Sequence, residues 1–447
     1  MHVEVASVQF LPRLPDALPQ ITHGNCSPRY IMAVEFNPFE DLKAQDTSAH
    51  YRKLRDEAPV HWSSEGEVFT VSRYEDVQTV LKSPDDFSSE AMRTVLTSAL
   101  TVTMTPRYAF KLISFLVRTR INPLRFLKVG NLISIDGERH NVLRKIVGKG
   151  FTPRRIAAWQ PRIEAVVEEH VAKMRKSETI DVVADLAVPL PTIIISEMLG
   201  VEPERRADFK HWSSRIIDLA SGAAKEDLLN SGVLDDVLEM FVYLRNAVKE
   251  RRESPGDDLI SQLIDPKQED VLDELDIIQF VVLLLVAGNE TTTNLIGNAA
   301  NALMNNPRQL AEVAADPSLV DRVIDETLRF EPPLTVTFRN TTRDVTLAGV
   351  EIPEGSNLAI LLSAANRDER QFENPDQFDI HRDATGHLGF GFGVHFCLGS
   401  SLARLQAHTA LAALIPELDN FRQQGAPSSM IDSFLVRGRE SLELHRR

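Results

Sequence analysis

The sequence predicts a mainly α-helical protein with a small β-rich subdomain. Apolar residues recur at three- and four-residue spacing along most of the chain, which is typical of helices with one buried face. Segments rich in alternating and β-branched residues are short and are confined to two regions. The 447 residues show no internal repeat, no low-complexity tract and no linker after residue 36. We therefore expect an N-terminal tail over residues 1–35 and a single domain over residues 36–447.

The predicted helices share apolar residues three or four positions apart. In chain order they cover residues 50–58, 139–148, 156–176, 190–199, 233–251, 274–305, 318–330 and 402–414. The segment 274–305 differs from the others because it contains an uninterrupted apolar run at 280–287. A surface helix carries only one apolar stripe, so we expect this segment to be a buried central helix.

The two β regions are each marked by a turn sequence. Residues 60–63 and 68–72 flank Glu65-Gly66-Glu67 and predict a hairpin. Residues 345–350 and 357–362 are joined through Pro353-Glu354-Gly355, which also reads as a turn. These regions form the predicted β-rich subdomain.

The composition excludes some classes of function. The formal net charge of −15 argues against a nucleic acid partner, because phosphate binding needs a basic surface. The two cysteines, Cys26 and Cys397, are too few and too far apart for a disulfide framework and fit a reducing cytoplasm. The apolar run at 280–287 is far shorter than the ~20 residues of a spanning helix. We expect a cytoplasmic protein without a transmembrane anchor.

Residues 88–129 are basic, in contrast to the rest of the chain. They carry seven basic residues against one acid, Glu90, and the basic residues are Arg93, Arg107, Lys111, Arg118, Arg120, Arg125 and Lys128. One interpretation is a pair of packed surface helices whose lysine and arginine stems cover apolar surface. The other is a lipid-facing surface or an entrance for an amphipathic anion.

Cys397 is a candidate metal ligand. It lies in residues 390–399, which read Phe-Gly-Phe-Gly-Val-His-Phe-Cys-Leu-Gly, just before the amphipathic run at 402–406. The free N–H groups at the start of a helix favour a thiolate. With no second cysteine nearby, the sulfur is suited to hold one metal from one side rather than to build a zinc cage. The glycines would let the backbone approach a flat, bulky group.

The middle of the predicted central helix carries a second candidate motif. Residues 287–293 read Ala-Gly-Asn-Glu-Thr-Thr-Thr. Gly288 costs about 1 kcal/mol in a helix interior, and Glu290 is expensive to bury unpaired. One interpretation is a locally opened groove in which a ligand binds and protons move. The alternative is a kinked helix whose threonines bond to carbonyls one turn back.

Two further pairs are ambiguous by themselves. Glu326 and Arg329 lie three apart on one helical face, as solvated ion pairs often do. His140 and Arg144 lie one turn apart and can grip one anionic group together, or can simply lie on a surface helix.

In this order, the motifs together resemble the cytochrome P-450 superfamily, the haem-thiolate monooxygenases. The resemblance covers residues 36–447 and implies a helical prism around a buried haem b, with Cys397 as the axial iron ligand. The other residues that it implies at the haem are Ala287, Gly288, His140, Arg144, Arg339, Phe390, Gly391, His395 and Gly399. Glu326, Arg329 and Arg382 are similar to the buried structural triad of that family.

The resemblance also implies an oxygen-dependent reaction and a substrate site. Thr291 would hydrogen-bond the oxygen, and Glu290 would pass protons toward it through water. The implied substrate contacts are Leu283, Val286, Leu334 and Val336. These side chains are aliphatic, so the expected substrate is lipophilic: a fatty acid, a steroid or a terpenoid. The charge of residues 88–129 favours one that carries a carboxylate.

The expected electrons derive from NAD(P)H and come from outside the chain, because no flavin or iron–sulfur motif follows Cys397. We expect an acidic ferredoxin or flavodoxin, with its reductase, to dock on a basic cluster formed by Arg144, Lys145, Lys149, Arg154, Arg155 and Arg404. Two alternatives stay open: a peroxide-driven or non-oxygenase haem-thiolate enzyme, and a non-catalytic haem protein.

Overall fold

The structure is a computed structural model that describes residues 34–98, 113, 117–118, 130–220, 232–264, 272–424 and 428–447. The predicted tail, apart from residues 34 and 35, and most of the basic segment 88–129 lie outside these residues. The described chain is mainly helical with small sheets, which confirms the predicted fold class.

The helices are labelled in chain order. They are α1 Pro38–Asp41, α2 Ser48–Glu57, α3 Tyr74–Lys82, α4 Glu90–Ser98, α5 Gly137–Gly148, α6 Pro153–Ala157, α7 Gln160–Met174, α8 Pro189–Met198, α9 Arg206–Ala220, α10 Val233–Glu253, α11 Leu259–Leu263, α12 Glu274–Met304, α13 Pro307–Ala315, α14 Val320–Phe330, α15 Leu362–Ala365 and α16 Ser400–Leu418. Each predicted helix is present, with ends shifted by a few residues. The prediction over 156–176 becomes two helices, because α7 starts afresh at Gln160 with a proline in its first turn.

Ten strands are present in the described chain. They are β1 Val60–Ser63, β2 Val68–Val71, β3 Phe87–Ser88, β4 Thr179–Asp181, β5 Val336–Thr341, β6 Val345–Leu347, β7 Val350–Ile352, β8 Asn357–Leu361, β9 Phe421–Gln423 and β10 Glu443–Arg446. The main sheet has the order β1-β2-β8-β5-β3, and the others have the orders β4-β10-β9 and β6-β7. The predicted hairpin is β1–β2, with Val60 opposite Val71.

The second β region departs from the prediction. We expected one strand over 345–350, but the chain turns at Ala348 and Gly349, whose φ angles are 49° and 78°. Two consecutive positive φ angles are typical of a tight hairpin turn, and they divide the segment into β6 and β7. The strand that follows, β8, pairs with β2 and β5 rather than with β7.

The main sheet separates two parts of the core. Along β8, Leu358 and Ile360 pack in the cluster that includes Val77 and Val80 of α3. The alternating residues Ala359 and Leu361 pack in a different cluster on the other face. A larger third cluster surrounds α12 and joins it to α16. The predicted substrate residues lie on α12 and on β5 or just before it, so these elements position that region.

Helix α12 is the predicted central helix. Asp273 caps it by accepting hydrogen bonds from the backbone N–H groups of Leu275 and Asp276, at 2.8 and 2.9 Å. The Asp276 carboxylate in turn accepts a hydrogen bond from the Asp273 N–H, which completes a capping box. Among the described helices, α12 is long and apolar enough to cross a membrane, but most of its apolar stretch is buried within the protein. It therefore behaves as the core helix of the fold.

Glu326 and Arg329 form a buried pair rather than a solvated one. Both side chains are almost fully inaccessible, and the guanidinium binds both carboxylate oxygens at 2.7 Å. Arg329 also donates to the carbonyls of Asn366 and Pro375, at 3.0 and 2.9 Å. Arg382 reaches the same carboxylate at 3.3 Å. This network connects α14 to the segment that leads into residues 390–399.

We predict that Glu326→Gln destabilises the protein by about 3–5 kcal/mol, because it leaves the Arg329 charge buried and uncompensated. Equilibrium unfolding in urea measures the change. Glu169→Gln is the matched control, since Glu169 pairs with Lys173 on an exposed face of α7. The control should leave the unfolding midpoint unchanged, and an equal loss in both variants would contradict the prediction.

Candidate functional site

Cys397 lies directly before α16, at the end of a tightly turned loop. Its backbone N–H donates to the carbonyl of Phe390 at 2.9 Å, which closes the loop over residues 390–397. Cys397 is a free cysteine, and its residue is partly accessible. Burial of the sulfur raises the pKa of the thiol, and the N–H groups of Gly399 and Ser400 with the charge of Arg144 oppose that rise. These are groups that stabilise a bound thiolate.

Two glycines shape this loop. Gly391 and Gly393 both have a φ of 71°, which residues with a Cβ adopt only with strain. A Cβ on Gly393 would lie 2.5 Å from the carbonyl oxygen of Leu81, so the backbone here passes against the end of α3. A Cβ on Gly399 would meet no atom within 4 Å, so open space lies beside the start of α16. The glycines were predicted to let the backbone approach a flat, bulky group. At Gly393 the group that the backbone approaches is the end of α3.

Two side chains near the loop, Arg339 and His140, have no acidic hydrogen-bond partner among the described residues. Arg339 of β5 is 4% exposed, and its Nη1 donates to the Phe338 carbonyl at 2.7 Å and to the Thr337 hydroxyl at 3.3 Å. Burial lowers its pKa to about 10, although the Asp136 carboxylate acts in the opposite direction. His140 of α5 is 1% exposed, and its Nε2 has no partner. Its ring lies 4.4 Å from that of His395.

His395 is held by a residue that the sequence analysis did not select, Asp136. The His395 Nε2 lies 2.8 Å from Asp136 Oδ1 and 2.9 Å from the Ser89 hydroxyl. Asp136 Oδ2 accepts from the Ser88 hydroxyl and the Ser89 N–H, at 2.8 and 2.6 Å. Burial alone would raise the pKa of Asp136, but these bonds and the His395 charge outweigh burial and lower it to about 2.

Arg144 contacts the loop backbone. Its Nη2 donates to the carbonyl of Phe396 at 2.6 Å, one residue before Cys397. Burial lowers the pKa of Arg144, and the nearby Cys397 sulfur raises it. The structure thus brings Arg144, His140 and His395 together around the cysteine loop.

The motif at 287–293 lies in an unbroken stretch of α12. The Thr291 hydroxyl donates to the Ala287 carbonyl one turn back, at 2.5 Å, which is the bond described by the second interpretation of this motif. A Cβ on Gly288 would make ordinary contact with Ile195 at 3.5 Å. The helix is therefore continuous at Gly288, although Ala287 is exposed and Thr291 is half-buried.

Glu290 is buried and paired with α9. Its Oε1 accepts from the Lys210 ammonium at 2.5 Å and from the Ser214 hydroxyl at 3.3 Å. The sequence analysis selected neither partner, because they lie 80 and 76 positions away and α9 was not predicted. The carboxylate thus connects the central helix to α9.

The predicted substrate residues divide into two groups. Val336 is fully buried, and Val286 and Leu334 pack against the same cluster. Leu283 packs instead against the large cluster around α12. Three of the four predicted side chains therefore belong to or pack against one apolar cluster, and Leu334 also packs against the cluster on the other face of the main sheet.

Comparison with known proteins places the chain in a family. The family described as Cytochrome P450 matches residues 123–444. Cytochrome P450 107B1 of Saccharopolyspora erythraea is 36% identical over 410 residues, which cover 90% of this chain and 96% of that protein. The solved structure of CYP109Q5 from Chondromyces apiculatus has a TM-score of 0.79 at 35% identity, and covers 92% of this chain and 98% of its own. CYP109E1 from Bacillus megaterium, solved in complex with testosterone, has a TM-score of 0.76 at 32% identity, covering 90% and 99%.

The chain belongs to the cytochrome P450 family, and it is an oxidoreductase of that class. This family uses haem iron held by a cysteine thiolate. The described residues fit such a group: Cys397 is free, the Arg339 guanidinium has no carboxylate partner, and His140 Nε2 is unpartnered. Among the described residues, no cluster of three or more histidine, cysteine, aspartate or glutamate side chains that could hold a metal ion is found.

We predict that the Asp136 carboxylate stabilises the fold at neutral pH but not in strong acid. Its folded pKa, about 2, is below the unfolded value of 3.8, so its contribution is complete above pH 3.8 and disappears as the pH falls toward 2. That difference corresponds to about 2 kcal/mol. Urea unfolding should show Asp136→Asn less stable by this amount at pH 7, with the gap closing toward pH 2. Asp257→Asn, measured in the same way, is the control. A stability difference between the native protein and Asp136→Asn that did not change with pH would contradict the prediction.

Proposed function

We propose that this protein is a haem-thiolate monooxygenase that inserts one oxygen atom of O2 into a lipophilic small molecule. One structural combination carries the proposal. A free cysteine lies three residues before α16. The ring of His140, whose Nε2 has no partner among the described residues, lies 4.4 Å from the ring of His395, and His395 is two positions before that cysteine. Family membership supplies the reaction class.

In this proposal the Cys397 thiolate would bind the iron of haem b, and the buried side chains of Arg339 and His140 would bind the two haem carboxylates. When bound, the haem iron supplies the centre at which O2 is activated, with electron density donated by the thiolate. Arg339 offers the strongest site for a carboxylate, because its guanidinium is buried without an acidic partner. His140 Nε2 offers a second donor, and Arg144 and His395 lie beside it. The remaining residues proposed to border the haem are Ala287, Gly288, Phe390, Gly391 and Gly399.

Thr291 and Glu290 are proposed to take part in proton transfer. The Thr291 hydroxyl donates to the Ala287 carbonyl and retains lone pairs that accept a hydrogen bond from water. Glu290 holds its carboxylate between Lys210 and Ser214, so it must leave the ammonium before it exchanges a proton with water near Thr291. This arrangement makes the pairing between α9 and α12 part of the proton supply.

The proposed substrate is a fatty acid, a steroid or a terpenoid. The support is the aliphatic region that Val286, Leu334 and Val336 share. The related CYP109E1 was solved with testosterone, which is a steroid of this lipophilic kind. Apolar pockets with few polar groups bind such molecules mainly by removing apolar surface from water.

We propose that electrons derived from NAD(P)H arrive through a ferredoxin or flavodoxin, with its reductase, and that the protein is cytoplasmic. Lys145, Arg154 and Arg155 are exposed on α5 and α6, close in sequence to Arg144, which contacts the cysteine loop. Val394 and Phe396 of that loop are each 42% exposed. Exposed basic and apolar side chains on and near this loop suit an acidic partner that docks transiently.

The test of the haem ligand is the carbon monoxide difference spectrum of the reduced protein. Native protein and Cys26→Ser, the matched control, should both show the red-shifted Soret band of a thiolate-bound haem. Cys397→Ser should lose that band, because a hydroxyl does not replace the thiolate donor. A native protein without the band, or a Cys397→Ser protein that keeps it, would reject the proposal.

The test of the docking surface is the rate of reduction by a ferredoxin. The double variant Arg154→Glu/Arg155→Glu should reduce about tenfold more slowly at low salt, with the difference shrinking as salt is added, because steering is screened. Arg308→Glu/Lys249→Glu is the control with the same change in charge at exposed sites on α13 and α10. Equal rates for the two double variants would remove this surface as the docking site.

A further inference from the structure

Asp136 occupies the N-cap position of α5 but does not cap that helix. An aspartate at this position normally accepts a hydrogen bond from a backbone N–H of the first turn, which stabilises the helix. The side chain of Asp136 makes no such bond. The next residue, Gly137, has a φ of 66°, a conformation that glycine adopts without strain and that turns the backbone between Asp136 and the helix. The helix therefore forgoes a stabilising bond, and the carboxylate is left for other partners.

Both oxygens of the Asp136 carboxylate bind groups from other parts of the chain. Oδ1 lies 2.8 Å from the His395 Nε2, and Oδ2 accepts hydrogen bonds from the Ser88 hydroxyl and the Ser89 N–H. An ionised carboxylate only accepts, so the His395 Nε2 is the donor in the first contact. The Ser89 hydroxyl lies 2.9 Å from the same nitrogen. Asp136 thus joins three segments: the start of α5, the residues before α4 and the cysteine loop.

The same carboxylate lies among the side chains that are proposed to hold the haem carboxylates. Burial lowers the pKa values of Arg339 and His140, and the charge of Asp136 opposes that change in both. The ring of His140 lies 4.4 Å from the ring of His395, which is bound to Asp136. Asp136 therefore neighbours Arg339 and His140 without taking up their hydrogen-bond donors.

Ser89 leads directly into α4, whose first turn is bound to β5 on both sides of Arg339. The Ala91 N–H donates to Asn340 Oδ1 at 3.1 Å. The sulfur of Met92 accepts from the N–H of the residue before Arg339, at 3.3 Å. The hydrogen bonds of Ser89 therefore help to seat the start of α4 beside Arg339.

We propose that Asp136 is a positioning residue for haem binding, which holds the cysteine loop through His395 and seats the start of α4 through Ser89. The proposal rests on the function proposed above. The bond to His395 fixes the chain two residues before Cys397, so the sulfur and the side chains proposed to bind the haem carboxylates keep one set separation. Residues that orient a metal site in this way act through its ligands rather than on the metal itself.

A purely electrostatic role for Asp136 predicts the opposite effect on haem binding. A negative charge beside the haem carboxylates repels them, so its removal in Asp136→Asn would slow the release of haem. Loss of positioning would instead speed release by about tenfold, the lower end of the effect of losing a residue that orients a metal site. Asparagine has nearly the same shape as aspartate and is an equally good N-cap residue, so the substitution does not weaken the start of α5.

The first test is the rate at which the haem-loaded protein transfers haem to an excess of apomyoglobin at pH 7. Asp136→Asn should release haem about tenfold faster than the native protein. Glu138→Gln is the matched control, because it removes the same charge from an exposed side chain in the first turn of α5, and it should release haem at the native rate. Release from Asp136→Asn that is as slow as from the native protein, or slower, would overturn the proposal.

The second test is a double-mutant cycle that asks whether Asp136 acts through His395. His395→Gln should also release haem faster than the native protein. The fold-changes of Asp136→Asn and His395→Gln should not multiply in the double variant, because both remove the same contact. Fold-changes that multiply would show that Asp136 does not act through His395.

The third test separates positioning from a general loss of stability. Backbone hydrogen exchange of the haem-loaded protein should be faster in residues 87–93 of Asp136→Asn and unchanged in α7 and α12. Exchange that is faster throughout the chain would overturn the proposal. If Asp136→Asn does not fold, Ser89→Ala takes its place, since it removes the hydroxyl beside the His395 Nε2 and leaves the carboxylate. Ser89→Ala must then release haem faster than the native protein.

The proposed function fails in a different way from this inference. A native protein that binds no haem, or whose reduced carbon monoxide complex lacks the red-shifted Soret band, would reject the proposed function. A native protein that shows the band, with haem release that Asp136→Asn does not speed, would reject the role of Asp136 alone.

Discussion

The site depends on a buried guanidinium without a carboxylate partner. Arg339 is 4% exposed. Within the described chain, its guanidinium donates hydrogen bonds to the Phe338 carbonyl and the Thr337 hydroxyl, which belong to its own strand. Burying a cation in this way is expensive, and an anion bound nearby offsets the cost. The Asp136 carboxylate acts on Arg339 through its charge, but the hydrogen bonds that it accepts come from His395, Ser88 and Ser89. The remaining positive charge favours the carboxylates of a haem, so cofactor binding and stability are coupled in the proposed enzyme.

The central helix α12 carries two polar side chains that are proposed to act in the reaction. Glu290 binds Lys210 and Ser214 of α9, and Thr291 borders the proposed oxygen site. These groups lie in a helix whose other faces are packed in the core. Rigid packing keeps each of them at a set position, which proton transfer requires because it works only over hydrogen-bond distances.

Local sequence patterns were enough for much of the fold. The spacing of apolar residues located α5 and α16, and the uninterrupted apolar run at 280–287 marked α12 as a buried helix. The helix α9 was missed although Phe209, Trp212 and Ile216 have the same spacing, so its signal was present. The single strand expected at 345–350 was wrong, because the positive φ angles at Ala348 and Gly349 turn the chain. The strand β5 was missed because β8 and β3, on either side of it, supply the pairing that stabilises it.

The sequence by itself determined the fold class and the family, and it marked Cys397 as the proposed iron ligand. These follow from spacing within short segments, where each residue is constrained by its neighbours in the chain. Only the tertiary structure decided how the charges are paired. Asp136 with His395, and Glu290 with Lys210, are 259 and 80 positions apart. No local pattern specifies such partners, because burial and the packing of distant elements determine which groups meet.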